Sequence, residues 1–208
     1  MGCRSWNRSG KPRTGWLAGE PKKEKLAVRR FIHESSIPDI EHITDALYET
    51  GTVSQRGMLF EPKSARLTLL ETFELPYGKK HLTPNIVHSI PSCNENLSVR
   101  LGGFIISKLG NDKPKLALEV ISASAEEELQ NLVEAFEEKG LKLRGDILNG
   151  SRPPHLSLAV IDREAEDYFD SEVLSDLNVK TGATVSDAGA YFGSVTLRAV
   201  TLPSNLSS

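Results

Sequence analysis

The chain is poor in cysteine, with Cys3 and Cys93 as its two thiols in 208 residues. Two thiols cannot form a disulfide framework, and by themselves they cannot complete a zinc site. No stretch approaches the roughly 18 consecutive apolar residues of a membrane-spanning helix, and the N-terminus lacks the apolar segment of a secretory signal. We therefore expect a protein of the cytoplasm or the nucleus that holds no metal or cofactor and does not enter a membrane.

The sequence also lacks a glycine-rich phosphate loop and a dinucleotide-binding fingerprint. Strands are predicted at 25–32, 65–73, 97–107, 115–121, 153–161 and 191–202, and helices at 37–51 and 125–139. Prolines break the section 76–96, which should be a loop with at most one short helix. The helices are too few for a doubly wound sheet. We predict an α+β fold of two similar lobes, with antiparallel-rich sheets flanking a central cleft.

The net charge of −3 conceals a basic N-terminus. The first 30 residues hold nine Lys or Arg and two Glu, which leaves 16 basic and 26 acidic side chains for the rest. The composition predicts a flexible basic tail over 1–22, ahead of one domain over 23–208. Such a tail could contact nucleic acid or simply be solvated. Gly2 and Cys3 hint at acylation, but Trp6 stands where the myristoylation pattern has Ser or Thr.

The helix predicted over 125–139 has the clearest pattern. Ser124 followed by Glu127 matches a capping box at its start, and Gly140 is expected to end it. Apolar residues at helical spacing form the stripe that should face the core, namely Leu129, Leu132, Val133 and Phe136. The six glutamates of the helix lie on its other faces, where we expect a solvated surface rather than a metal site.

The segment "PPHLSLAVI", residues 153–161, places a histidine inside an apolar run that favours a strand. The two prolines at its start disfavour a helix. Alternation puts His155 and Ser157 on one face and Leu156 and Leu158 on the other, as in a half-buried strand. An imidazole beside a hydroxyl can bind phosphate and move protons, although a solvent-facing polar edge would show the same pattern.

The short pattern His-x-Ser/Thr occurs three times in the chain. The copy at His42 falls in a predicted helix, where residues two apart point in different directions and cannot share one ligand. The copy at His81 is followed by Thr83 and Pro84, and the proline favours a loop. The copy at His155 lies in a predicted strand, so it is the candidate for a functional histidine.

The order of elements around His155 resembles the two-histidine phosphoesterase superfamily, the fold of the LigT-like 2'-5' RNA ligases and cyclic phosphodiesterases. The resemblance rests on "LSVRLGGFIIS", "KPKLALEVI", "EEELQNLVEAFEEKGL" and "RPPHLSLAVI", and on the N-terminal "RRFIHESSIPDIEHITDALYETG". The last segment, "YFGSVTLRAVTL", looks like the eukaryotic branch that contains the kinase-anchoring-protein central domain and the small subunit of the activating signal cointegrator complex. Together these segments cover about residues 25 to 202.

Members of this superfamily carry two such motifs, one in each lobe, which face each other across a cleft. The resemblance places the first motif on "ARLTLLETF", 89 residues before the second, with Arg66 at the position of the histidine and Thr68 retained. His81 is the alternative first-motif histidine. The resemblance thus implies His155 and Ser157 as catalytic residues and Arg66 and Thr68 as phosphate-binding residues.

Splitting a phosphodiester needs a base for the nucleophile and an acid for the leaving oxygen, and two imidazoles can fill both roles near neutral pH. Arg66 can hold a phosphate through its fork of donors, but it cannot accept a proton. Three interpretations stay open. The protein could be a phosphodiesterase acting on RNA ends or on cyclic or 2'-5' linked nucleotides. It could be a degenerate module that binds nucleotide or RNA within a larger complex, or a structural domain whose basic tail recruits protein partners.

Overall fold

The computed structural model describes residues 24–75, 82–108, 112–141 and 154–202. The predicted basic tail over 1–22 lies outside the described residues, and so does His81. None of the described helices has both the length and the apolar character needed to cross a membrane.

The described residues form strands, α-helices and short 3-10 helices. The strands are β1 (Glu24–Phe31), β2 (Gly57–Leu59), β3 (Arg66–Leu75), β4 (Leu97–Ser107), β5 (Lys115–Ile121), β6 (His155–Ile161), β7 (Thr184–Ser186) and β8 (Gly189–Leu197). The α-helices are α1 (Ile37–Glu49), α2 (Leu82–His88), α3 (Ala123–Glu138) and α4 (Ser171–Lys180). Short 3-10 helices occur at Glu34–Ser36, Pro62–Ser64, Pro91–Asn94 and Arg163–Tyr168.

These eight strands form a single sheet in the order β1-β3-β6-β5-β4-β8-β7, and β2 pairs with a separate part of β6. Every pair of neighbouring strands is antiparallel. The predicted α+β fold with antiparallel-rich sheets is therefore confirmed. Strands β3 and β6 pair over two residues, whereas β5 and β6 pair over five.

Most of the predicted strands have the expected bounds. Strands β4 and β5 begin and end at the predicted residues, whereas the last strand ends at Leu197 instead of at 202. The chain after Leu197 leaves β8 and approaches β1, where Thr201 forms a single bridge with Arg29. The sequence does not predict β2 and β7, because three residues are too few to show an alternating pattern.

Strand β6 is buried on both faces, so its prediction as a half-buried strand is wrong. Leu156 and Leu158 are 0% and 1% exposed on one face, while His155 and Ser157 are 6% and 4% exposed on the other. Alternation in a sequence reports the polarity of side chains rather than their exposure. On the polar face of β6, the hydroxyl group of Ser107, at the end of β4, lies 3.0 Å from Nε2 of His155.

Helix α1 has the structure that its sequence predicts. Its apolar residues at helical spacing, Ile40, Ile43 and Leu47, are buried along one stripe. The helix ends at Glu49, and Gly51 follows with a φ of 65°, the left-handed conformation that commonly terminates a helix.

The start of α3 differs from the prediction, because the N-cap is Ser122 and not Ser124. Ser122 has an extended backbone, and its side chain accepts a hydrogen bond from the Ala125 backbone N–H. Ser124 already lies inside the helix and is exposed. The predicted stripe faces the core, with Leu132, Val133 and Phe136 buried and Leu129 partly buried.

The prediction that all six glutamates of α3 are solvated is wrong for Glu128, which is 1% exposed. Its carboxylate accepts two hydrogen bonds from Arg30 on β1, at 2.7 Å from Nε and 2.5 Å from one terminal nitrogen. A buried carboxylate needs a partner of opposite charge, and Arg30 supplies it in a bidentate geometry. Helical spacing alone cannot reveal this burial, because the partner lies 98 residues away.

Arg30 also connects two ends of the sheet. Its terminal nitrogens donate to the backbone carbonyls of Ser92, Glu95 and Arg198 at 2.6 to 2.8 Å, so all five of its N–H groups are used. Close by, Ile32 just after β1 forms a single bridge with Leu197 at the end of β8. The first strand and the segment after the last strand are therefore joined around one buried guanidinium group.

Replacing Arg30 with Met should lower the free energy of unfolding by about 3–5 kcal/mol, because it leaves a buried carboxylate and three carbonyls without their donor. Denaturant unfolding measures this change. The matched control is Arg198→Met, which removes an exposed ion pair with Glu34 and should cost about 0–1 kcal/mol. Equal effects of the two substitutions would contradict the role of Arg30.

Cys93 lies beside the same ion pair and is 1% exposed. Burial raises the pKa of its thiol, and the negative charge of Glu128 raises that pKa further. Since the thiolate is the reactive form of cysteine, the Cys93 thiol should be inert in the folded protein.

The raised pKa of Cys93 predicts a loss of stability at alkaline pH. The thiol of the unfolded chain loses its proton above a pH of about 8.5, whereas the thiol of the folded chain keeps it. The contribution of Cys93 to the free energy of unfolding is therefore fully present below that pH and declines above it. The decline is at most about 1.4 kcal/mol per pH unit. We expect the unfolding free energies of the wild type and of Cys93→Ala to converge between pH 8 and 10; a constant difference over that range would contradict the prediction.

Candidate functional site

The two predicted motifs lie side by side on neighbouring strands. Arg66 on β3 pairs with Ser157 on β6, and the pairing continues to the next residue of each strand. Extending this antiparallel register by one more residue places Thr68 beside His155. Instead of facing each other from opposite walls of a cleft, the motifs form one compact group in the middle of the sheet, which we call the motif patch (Arg66, Thr68, His155 and Ser157).

The four side chains of the motif patch share one face of the sheet. The leucine between the two motif residues of each strand points to the opposite face and is 0% exposed. On the patch side, Arg66 and Thr68 are partly exposed, whereas His155 and Ser157 are buried. The patch is therefore partly open to solvent on the β3 side.

A serine that no sequence motif indicates holds the imidazole of the patch. The Nε2 atom of His155 lies 3.0 Å from Oγ of Ser107, the last residue of β4, and both side chains are buried. The one available signal is alternation along β4, which puts Ser107 on the same face as Ile105. Alternation does not say which distant residue that face meets, so the contact could not be predicted.

The hydrogen bond between Ser107 and His155 passes over β5. Ser107 pairs with Lys115 and His155 pairs with Glu119, so on a flat sheet their rows would be roughly 13 Å apart. A separation of 3.0 Å between the side chains requires the sheet to be concave on this face. Ala117 lies between the two rows on the same face, and its small side chain leaves space for the bond.

Glu119 is the charged residue directly opposite His155. On its other side, β4 places Gly102 and Gly103 against it, where the register shifts. This irregularity is the bulge that the two glycines predict. A Cβ atom on Gly102 would lie 3.0 Å from Oε2 of Glu119, so the glycine provides the space that the carboxylate occupies.

Arg66 supplies the positive charge of the motif patch. Its guanidinium carbon lies 5.9 Å from the centroid of the Phe60 ring, near the outer limit of a cation–π contact. Within the described parts of the chain, no carboxylate lies within ion-pair distance of Arg66. A second arginine borders the patch, because Arg29 on β1 pairs with Thr68. The patch is thus suited to an anion.

The other histidine candidates are not part of the patch. His42 lies on α1 and is exposed, in agreement with its predicted helical position. His81, the alternative first-motif histidine, lies outside the described residues. Where the chain is described, no group of three or more His, Cys, Asp or Glu side chains could hold a metal ion.

Solved structures that this chain resembles have little sequence identity to it. Usb1 from Kluyveromyces marxianus is 15% identical, with a TM-score of 0.50 and a match that covers 86% of this chain and 97% of that chain. TT0787 from Thermus thermophilus is 15% identical, with a TM-score of 0.48, over 65% and 74% of the two chains. LigT from E. coli is 13% identical, with a TM-score of 0.46, over 69% and 76%. No family model and no curated protein sequence matches the chain.

The match with Usb1 spans most of both chains and shows a shared fold. At 15% identity it says nothing about the reaction or the ligand. The roles of the four patch residues must therefore be argued from their own geometry and chemistry.

Proposed function

We propose, starting from a chain that has the fold of the two-histidine phosphoesterases, that the motif patch binds a phosphate ester of a nucleotide or of an RNA end and acts on it as a weak phosphodiesterase. The observation that carries this proposal is the register of β3 and β6, which pairs Arg66 with Ser157 and, when extended by one residue, puts Thr68 next to His155. One cation, two hydroxyls and one imidazole thus meet on a single concave face.

Phosphate recognition would rest on Arg66 together with the two hydroxyl groups. The guanidinium fork can donate two parallel hydrogen bonds to phosphate oxygens, and its charge does not vary with pH in the physiological range. Thr68 and Ser157 can donate further hydrogen bonds from either side of Arg66. Partial burial of the patch strengthens these interactions relative to bulk water. RNA ends and cyclic or 2'-5' linked nucleotides all present such an ester.

Proton transfer would depend on His155, because it is the one imidazole that the paired motifs supply. In-line cleavage of a phosphodiester uses a base on the attacking oxygen and an acid on the leaving oxygen. With arginine at the first motif position, the paired motifs supply no side chain for one of these two roles. The absence of one acid–base partner lowers a rate by roughly 10²–10⁴, so we expect slow turnover.

The second candidate function is a module that binds nucleotide or RNA without turnover. Two observations favour it: Arg66 stands where proton transfer would need a titratable group, and the Nε2 atom of His155 is already bonded to Ser107. Binding and turnover measured on the same preparation separate the two candidates. The assay set is 2',3'-cyclic nucleotides, 2'-5' oligoadenylate and short RNA, with uridine monophosphate as a binding probe, since one structure of Usb1 was determined with that nucleotide.

Substituting Arg66 should separate phosphate binding from catalysis. Arg66→Ala should weaken binding of uridine monophosphate roughly ten-fold or more, because it removes a charged donor to the phosphate. Arg66→His should raise turnover of a 2',3'-cyclic nucleotide by up to roughly 10², because it supplies a second imidazole beside Ser157. Calorimetric titration and product analysis measure the two effects.

The matched control for these variants is Arg198→Ala, which removes one exposed arginine charge outside the patch. It should change neither binding nor turnover, apart from a small salt-dependent effect. If Arg66→Ala binds the nucleotide as tightly as Arg198→Ala does, the patch is not the phosphate site.

His81 provides a separate test of which segment carries the first motif. If Arg66 occupies that position, His81→Ala should leave turnover within about two-fold of the wild type, since general acid–base residues contribute roughly 10²–10⁴. Full wild-type activity that disappears in His81→Ala, together with no gain in Arg66→His, would show that His81 is the missing imidazole. The same cyclic nucleotide serves as substrate for both variants.

A further inference from the structure

The Ser107 side chain is buried in contact with the His155 imidazole. It ends β4, belongs to neither motif, and yet is buried against the one imidazole of the motif patch. A buried hydroxyl on a sheet face usually satisfies itself on nearby backbone. Here Oγ lies 3.0 Å from Nε2 of His155, which is 48 residues away in sequence.

We propose that Ser107 is a positioning residue, which fixes the orientation of the His155 imidazole. A neutral imidazole has one nitrogen that donates and one that accepts, and a serine hydroxyl can accept from the first or donate to the second. The contact with Nε2 therefore holds the ring in place whichever nitrogen carries the proton. This role for Ser107 rests on the proposed function only as far as catalysis is concerned.

The local geometry supports this role because the bond depends on the shape of the sheet. Ser107 and His155 lie on different rows and meet over Ala117, so the contact exists only while β4, β5 and β6 keep their concave form. Glu119 pairs with His155, but its Oε2 atom lies on the β4 side, 3.0 Å from where a Cβ atom on Gly102 would be. On this face the Ser107 hydroxyl contacts the imidazole.

Ser107 and a bound ligand would contact the imidazole from different sides. A phosphate bound by Arg66 and Ser157 would approach His155 from the β3 side, whereas Ser107 contacts the ring from the β4 side. Because the two approaches differ, the ring can be oriented before the ligand arrives. Such preorganisation should affect the chemical step more than the binding step.

The test is long-range proton–nitrogen NMR of the histidine rings in the ligand-free protein, which reports the hydrogen bonding of each ring nitrogen. The chain has five histidines, and the spectrum of His155→Gln identifies the signals of His155. We expect the Nε2 signal of His155 in Ser107→Thr, which keeps the hydroxyl, to match that of the wild type, and the Nε2 signal in Ser107→Ala to shift because the hydrogen bond is lost. Ser98→Ala, an exposed serine on the same strand, is the matched control and should leave the signals unchanged.

Kinetics provide the second readout. With a 2',3'-cyclic nucleotide, Ser107→Ala should lower kcat about ten-fold with KM changed less than two-fold, and Ser107→Thr should restore most of the activity. Unchanged His155 signals in Ser107→Ala would overturn the inference, whatever the activity. If the wild type binds no phosphate ester at all, the proposed function fails, while the NMR result still decides whether Ser107 positions the His155 imidazole.

Discussion

The buried pairing of Arg30 with Glu128 is the constraint on which the rest of this fold depends. One guanidinium group satisfies a carboxylate of α3 and three carbonyls from segments far apart in the chain. A charge buried this completely is tolerated only when every donor and acceptor around it is paired. The chain after β8 must therefore pass close to β1, and α3 must pack against the same place. Cys93 shares this environment, which explains why its thiol is protected.

The curvature of the sheet connects this constraint to the candidate site. The ends of the sheet approach each other through two single bridges: Ile32 pairs with Leu197, and Arg29 pairs with Thr201. On the patch face, the bond from Ser107 to His155 requires a concave surface over β5. A flat sheet of the same sequence would keep these side chains too far apart to interact. The site is thus a product of sheet shape as well as of the motifs themselves.

The sequence predicts a large part of the fold because strands and helices have local periods. Alternation placed β4, β5 and β6 correctly, and helical spacing placed the stripes of α1 and α3. The same reasoning was wrong about Glu128 and about the polar face of β6, because a polar residue can be buried when a distant group satisfies it. The two short strands carry too few residues for any period to be visible.

For the candidate site, the sequence by itself determined the residue types. His155 is followed two positions later on a strand by Ser157, and Arg66 and Thr68 stand at the position that the resemblance gives to the first motif. It also determined that each pair shares one face, since side chains alternate along any strand. Only the tertiary structure decided that Arg66 pairs with Ser157, and that Ser107 meets His155. The reason is physical: periodicity follows from the geometry of a single segment, whereas register and curvature depend on how segments 48 to 98 residues apart pack together.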